Sequence, residues 1–438
     1  MDGSALRRLA NRTASNLAGL REHLPWVAGI FAVALGLRIA WILHINPDPL
    51  QATAFSGGIY DSQMYYAGAL GLAAGKGYVD PWLGEPTATF PPGYPLVLAG
   101  LFKLFGPSLL AAKLFNAVLG AITAVLVYAL GAKIAGRRAG IVAGGLMALF
   151  PSQIFFSTTI MTEPLFVMLC VILALLLLAW VGEGRAASWW QMLAIGALLG
   201  YMSLVRVEAI LLVPAVVALW KLSGVSWRRL VWQAPVLLAS IALVITPWTM
   251  RNYDQFGEVI MVRGSNDDVS RVVRIGLSPD YDNRYKYEWL AEEPASWDEL
   301  WTYYREMPSE LALVFGSKLR HLFGSDGILD WVQGRYQAPP LSPTEVTLWT
   351  SVSNAYYFTV GAVALLGAPL WFTRRDRRRL LIVWFVASWT LANLIFVPTT
   401  RYHFPLIPML CVLAALALSG GWDAIRKPGR PAGWRGSA

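Results

Sequence analysis

Apolar runs of about 20 residues recur along this chain, each long enough to cross the hydrocarbon core of a bilayer. That recurrence limits the fold more than any other feature. Such runs form helices, because in hydrocarbon each backbone N–H and C=O must find its partner within the protein. The reading marks about ten spans, near 24–44, 109–133, 140–156, 164–182, 191–205, 207–221, 230–249, 351–372, 380–397 and 405–420. Composition agrees: 56% of residues are hydrophobic and 14% charged, where a soluble domain carries about a quarter charged. The basic stretch before the first run (Arg7, Arg8, Arg12, Arg21) is too polar and too long for a compact signal peptide. No small-residue cleavage site follows, so the run reads as a retained anchor.

The loops alternate in charge. The N-terminus, "GRR" at 136–138, Arg185, "KLSGVSWRR", "TRRDRRR" and the tail are basic, which marks them as cytoplasmic. Between Arg251 and Glu310 acids outnumber bases by about two to one, so that side faces outward. The expected organisation follows. Residues 1–23 form a cytoplasmic basic N-terminus and 24–44 the first transmembrane helix. Residues 45–108 form a first outer loop with interfacial helices, and 109–249 carry helices two to seven. Residues 250–350 form an outer loop with a small cap, 351–420 carry helices eight to ten, and 421–438 are a cytoplasmic basic tail. "GYPLVLAGLFKLFG", 93–106, is short and holds Lys103, so it reads as interfacial or re-entrant. Residues 58–75 suit a helix lying along the surface, with Tyr65 and Leu72 on the stripe of Asp61. "GALLG", 196–200, suits close packing of two helices.

Several chemistries lack their motif. The two cysteines, Cys170 and Cys411, lie in apolar runs and imply no disulfide framework. Four histidines without an HExxH or CxxC spacing give no dedicated zinc cage. "GAKIAGRRAG" lacks the Gly-Lys-Ser/Thr ending of a nucleotide-binding loop.

Charges do gather at the outer ends of the spans. Asp61 lies in the first outer loop, Glu163 opens the fourth span, and Arg206 and Glu208 tip a hairpin. Arg251 ends the seventh span, and Arg401 and His403 enter the tenth. Singly, each has a plain account. Asp61 is a solvated acid, Glu163 a helix N-terminal charge worth about 0.3–1 kcal/mol, and Arg206 and Glu208 a neutral pair. Arg251 and Arg401 snorkel to lipid phosphates, and His403 is a hydrogen-bonded interfacial histidine. Arg38, inside the first span, snorkels outward or pairs with an acid of the first loop. Together, acids and arginines from five segments suit a phosphate-bearing amphiphile, since arginine grips phosphate through its planar fork. A carboxylate beside that phosphate suits a general base or a metal ligand.

The first-span Arg38, "YDSQMYYAGALG" after the first outer acid, "FPPGYPLVLAGLFKLFG", "SLVRVEA", "PWTMRNYDQFG" and "RYHFPLIPML" follow one another in a telling order. From about residue 24 to 420 the chain resembles the multi-span C-type glycosyltransferases that use polyprenyl-phosphate sugars. The branch it resembles holds the protein O-mannosyltransferases and the lipid A aminoarabinose transferase. The resemblance implies an all-α polytopic enzyme of the cytoplasmic membrane, with its active site on the outer face. It implies inverting transfer of a hexosyl or pentosyl group to an acceptor hydroxyl on a glycan, lipid or protein, with no nucleic-acid partner. Asp61 would be the catalytic acid of the first loop, and Arg401 would hold the donor phosphate. Tyr402, His403, Arg251, Arg206, Glu163 and Tyr65 complete the expected substrate-binding set. Metal use stays open: relatives carry an Asp-Glu pair where this chain has Asp61-Ser62, and a divalent ion would fall on Asp61 and Glu163. Glu85 sits where some relatives place another acid. The rival readings are a transporter or flippase of a lipid-linked sugar, and a polymerase or ligase using diphosphate-linked glycans.

Overall fold

A computed structural model describes residues 3–45, 48, 50, 60–180, 188–222, 224–264, 266–279, 294–329, 340–371, 377–396 and 400–426. Arg185, residues 280–293 of the acidic loop, residues 373–376 and the tail from 427 onward lie outside the described residues.

Seventeen α-helices and no strand occur among the described residues. They are α1 (Gly3–Ile45), α2 (Tyr60–Ala73), α3 (Gly93–Phe105), α4 (Leu109–Ala135), α5 (Arg137–Ala148), α6 (Pro151–Phe155), α7 (Glu163–Trp180) and α8 (Trp189–Val205). Then come α9 (Leu212–Leu222), α10 (Trp227–Phe256), α11 (Asn266–Gly276), α12 (Trp297–Glu306) and α13 (Pro308–Phe323). The chain ends with α14 (Pro343–Leu366), α15 (Ala368–Trp371), α16 (Arg377–Ile395) and α17 (Ile407–Arg426). Three 3-10 turns link them, at Phe156–Thr158, Val207–Leu211 and Thr400–Leu406.

Helix is found in each of the ten apolar runs among the described residues, and five helices are long and apolar enough to cross a bilayer: Arg21–Ile45 of α1, then α4, α7, α10 and Thr400–Gly420. The pair of α5 and α6, bent by 56° where Pro151 interrupts the backbone ladder, makes a sixth. The other four fall short. The helices α8 and α9 and the apolar part of α16, Arg379–Ile395, are too short, and α14 is long but too polar. At 13 residues α3 reaches only about 20 Å, which keeps it from crossing.

Small residues set the helix spacing. A Cβ on Gly140 would meet the Tyr128 carbonyl at 2.7 Å, so α5 lies directly against α4. A Cβ on Gly196 would meet the Leu237 carbonyl at 2.6 Å, and one on Gly200 would meet Val244 Cβ at 2.9 Å. "GALLG" is therefore the seat of α10 on α8, locked by Ser240 Oγ donating to the Leu193 carbonyl at 2.8 Å. The region 250–350 supplies the helices α11, α12 and α13. Ser296 with Glu299 caps α12 and Ser342 with Glu345 caps α14, each in a reciprocal capping box.

Arg38 corrects an expectation. It neither snorkels nor pairs with an acid of the first loop. Its side chain is fully buried between α1, α4 and α5, and Nη1 donates to the carbonyls of Ala34 at 2.9 Å and Ala148 at 3.4 Å. Gly120 leaves room for it, since a Cβ there would stand 2.2 Å from Arg38 Nε. The bend after Ala148 exposes a carbonyl at the end of α5, and the arginine satisfies that group instead of reaching for water.

Candidate active site

Asp61 lies in the first turn of α2, and Glu163 is the first residue of α7. The chain runs away along α7 and returns along α8, which ends at Arg206. Glu163 and Arg206 therefore share one end of the bundle. Arg401 lies in the 3-10 turn that enters α17. Four chain segments, separated by up to 340 positions, meet there. Arg401 Nη1 donates to Asp61 Oδ2 at 2.6 Å, and Arg401 Nε stands 3.9 Å from Glu163 Oε1. Arg206 Nη1 donates to Glu163 Oε1 at 2.9 Å, and Arg206 Nη2 stands 3.7 Å from Glu208 Oε1. Glu163 is thus the closer partner of Arg206, bridging both arginines, and Glu208 the farther.

Buried groups hold this row in place. Asn116, a lone amide in the apolar α4, accepts from the Tyr94 hydroxyl at 3.0 Å and donates to the Thr159 carbonyl at 2.7 Å. It thereby fixes the segment leading into Glu163. Thr162 Oγ1 accepts from Arg206 Nη1 at 3.3 Å. Tyr65, one helical turn beyond Asp61, packs edge-on against Phe90 at 5.3 Å and Tyr94 at 5.8 Å. The Tyr402 ring lies 5.0 Å from the Arg206 guanidinium carbon and 5.9 Å from that of Arg401.

The electrostatics follow from this packing. Burial works against the Arg206 charge, but Glu208 and Glu163 outweigh it and raise the guanidinium above its ordinary range. Burial, and then the Asp61 charge, hold the Tyr65 hydroxyl well above the usual tyrosine range, so it stays neutral. Three carboxylates (Asp61, Glu163, Glu208) face two guanidinium groups (Arg206, Arg401), each arginine tied to at least two acids.

Two expected site residues stand elsewhere. The Arg251 fork is spent on the backbone, Nη1 donating to the Thr87 carbonyl and Nη2 to the Tyr78 carbonyl, both at 2.8 Å. It ties the end of α10 to the hairpin 78–87 and does not face Asp61. His403 points into the core, not to the interface or to substrate. Its Nδ1 faces the Leu322 carbonyl at 2.9 Å and its Nε2 faces Asp326 Oδ1 at 3.0 Å, with both side chains fully buried. Glu85 is exposed on the hairpin. Sequence reading missed Asn116, Tyr94 and Asp326. An amide inside an apolar run was the one signal available, since a polar group at that depth needs a built partner.

Among the described residues no three His, Cys, Asp or Glu side chains gather to hold an ion. Asp61 and Glu163 both turn to Arg401 rather than to a shared centre. This arrangement does not fit a divalent metal, and no step below runs through one.

The chain has the fold seen in the polytopic C-type glycosyltransferases. ArnT from Cupriavidus metallidurans, in a crystal structure bound to undecaprenyl phosphate, matches with a TM-score of 0.55 at 16% identity, over 90% of this chain and 60% of its own. The archaeal oligosaccharyltransferase AglB from Archaeoglobus fulgidus, in complex with an inhibitory peptide and a dolichol-phosphate, matches with a TM-score of 0.56 at 15% identity, over 93% and 52%. The apo form of the Archaeoglobus fulgidus oligosaccharyltransferase matches with a TM-score of 0.57 at 17% identity, over 92% and 51%. The chain spans about half to three fifths of the length of these proteins. No curated protein matches it by sequence. Residues 89–250 match the model of a family described as dolichyl-phosphate-mannose-protein mannosyltransferase. The matched stretch takes in Glu163 and Arg206 but neither Asp61 nor Arg401.

Proposed function

We propose that this chain moves a sugar from a polyprenyl-phosphate donor to an acceptor hydroxyl at the outer face of the cytoplasmic membrane. The observation that carries the reading is the Asp61–Arg401 pair. A carboxylate able to take a proton stands 2.6 Å from a cation able to hold a phosphate, and their side chains keep 18% and 21% of their exposure. The fold, the family match at 89–250 and the lipid phosphates named for ArnT and AglB support it. The basic N-terminus supports cytoplasmic termini with the site on the opposite face.

The donor phosphate competes with Asp61 for Arg401. When Arg401 turns to the phosphate, the Asp61 carboxylate is released from its ion pair and free to meet the acceptor hydroxyl. Asp61 then takes the proton of the acceptor hydroxyl as that oxygen attacks the anomeric carbon. The bond from that carbon to the phosphate oxygen breaks, and the phosphate leaves from the opposite face with the electron pair. Attack from behind the leaving group inverts the anomeric centre. Arg401 and Arg206 stabilise the negative charge that grows on the leaving phosphate. The phosphate is itself the leaving group, so no acid donor is required. Glu163 sets the angle of both arginines and acts through them.

The test uses membranes carrying the wild type or Asp61→Asn, supplied with a panel of radiolabelled polyprenyl-phosphate sugars. Label should move from lipid to acceptor or water in the wild type alone. Equal transfer in both membranes would return Asp61 to a solvated charge.

A further inference from the structure

An exposed stack of aromatic rings stands beside Asp61. The Tyr60 ring lies flat on the Trp82 ring, with centroids 5.1 Å apart and planes 10° apart. Phe90 backs Tyr60 from 5.8 Å. Trp82 therefore ends the row, and it is 41% exposed while Tyr60 is 48% exposed.

The ring is held out by a built turn. Asp80 Oδ1 accepts from the Trp82 and Leu83 amides at 2.9 and 3.0 Å. The Gly84 amide donates to the Asp80 carbonyl at 3.0 Å, and the Asp80 amide donates to the Glu85 carbonyl at 2.8 Å. Gly84 takes a φ of +71°, which only glycine adopts freely. The two Arg251 bonds clamp the base of the same hairpin. An indole fixed in the open by so many bonds is pre-organised to receive something, since ordering costs have already been met in folding.

Charges of both signs surround it. Asp61 follows Tyr60 in the chain, Asp80 holds the turn that carries Trp82, and the Arg263 guanidinium carbon lies 5.3 Å from the Phe90 ring that backs Tyr60. A ring that serves only as a lipid anchor has no use for two carboxylates and a guanidinium at its edge. A pyranose does. Its C–H face is apolar and lies flat on an aromatic ring, and its rim of hydroxyls seeks carboxylate and guanidinium partners.

We infer that Trp82 and Tyr60 form a platform for a pyranose ring of the acceptor, making the acceptor a glycan or glycoconjugate. Its role as acceptor site rests on the transferase reading above. The donor sugar is fixed by its phosphate at the arginines, whereas the platform belongs to the exposed loop.

The test is saturation-transfer NMR on the full chain in nanodiscs, with methyl mannopyranoside and methyl glucopyranoside as probes. The wild type should pass saturation to ring C–H protons. Trp82→Ala and Tyr60→Ala should weaken binding by about three- to tenfold, the range of one ring contact. Undiminished signal in both variants, or no signal in the wild type, overturns the platform. Kinetics add a second arm. Trp82→Ala should raise the acceptor KM and leave donor hydrolysis to water unchanged, and an equal fall in both overturns the acceptor assignment. Glycoside binding lost in Trp82→Ala, in a wild type that turns over no polyprenyl-phosphate sugar, supports the platform and sinks the transferase reading instead.

Discussion

Arg401 and His403 stand two residues apart in one 3-10 turn and face opposite ways. Arg401 meets Asp61 where both side chains still touch solvent, and His403 meets Asp326 where neither does. Both pairs set a nitrogen-bearing side chain against a carboxylate, yet their surroundings differ. The outer pair can exchange partners, because an incoming phosphate can replace the carboxylate on the arginine. The inner pair cannot. Asp326 Oδ2 also accepts from Ser353 Oγ at 2.6 Å, the Asp326 amide donates to Asn354 Oδ1 at 2.6 Å, and the Tyr357 ring stacks on His403 at 4.7 Å. Both His403 nitrogens face oxygen atoms, which fixes the ring on both edges. The sealed pair anchors the turn to α13 and α14, while Trp389 Nε1 donates to the Tyr402 carbonyl at 2.7 Å. One short motif thus carries a reactive face and its foundation.

That contrast breaks if the two pairs respond alike to mutation. Asp61→Asn should give the largest effect on rate, a loss of about 10²- to 10⁴-fold in transfer, the usual share of a general base. Its folded fraction, read by detergent size-exclusion and thermal unfolding, should match the wild type. Arg401→Ala should cost about 10²-fold or more, the loss expected on removing one group that stabilises the leaving charge. It should raise the donor KM more than the acceptor KM. Normal donor kinetics would remove Arg401 from the phosphate site.

His403→Ala should act the other way. It leaves the buried Asp326 Oδ1 without its imidazole partner and removes the ring stacked on Tyr357, a change that typically destabilises by about 1–3 kcal/mol. A lowered Tm with turnover per folded molecule within a few-fold of wild type is the expected outcome. Unchanged Tm with lost turnover would move His403 from the foundation to the reacting groups.

The same contrast shows what could be read from sequence. The helices of the apolar runs and the helix at 60–73 were legible, because apolar run length and helical period are local properties. "GALLG" was legible for the same reason. Which charges touch was not. Arg251 and Arg401 both sit at span ends beside aromatic residues, and nothing local says that one spends its fork on Tyr78 and Thr87 carbonyls while the other meets Asp61. Arg38 failed for a similar reason. Its partner is the Ala148 carbonyl, freed by a helix bend 110 positions away. Asp326 was invisible because a single acid between two helices attracts no notice in a sequence, and only burial against His403 sets it apart.

Arg251 offers the smallest expected effect and the finest cut. Its two carbonyl bonds hold the hairpin that presents Trp82, so Arg251→Ala should loosen that hairpin and leave the ion-paired row intact. The loss should be about tenfold at most in acceptor KM, the equivalent of one ordinary net hydrogen bond. Donor KM should not move. Arg251→Lys should fail to rescue it, because a single ammonium lacks the planar fork that spans two carbonyls. Faster proteolytic cleavage between Tyr78 and Thr87 in both variants would locate the change in the hairpin. A donor KM that rises in step with the acceptor KM would instead join Arg251 to the phosphate site, and the division between arginines that bind substrate and arginines that build the wall would fall.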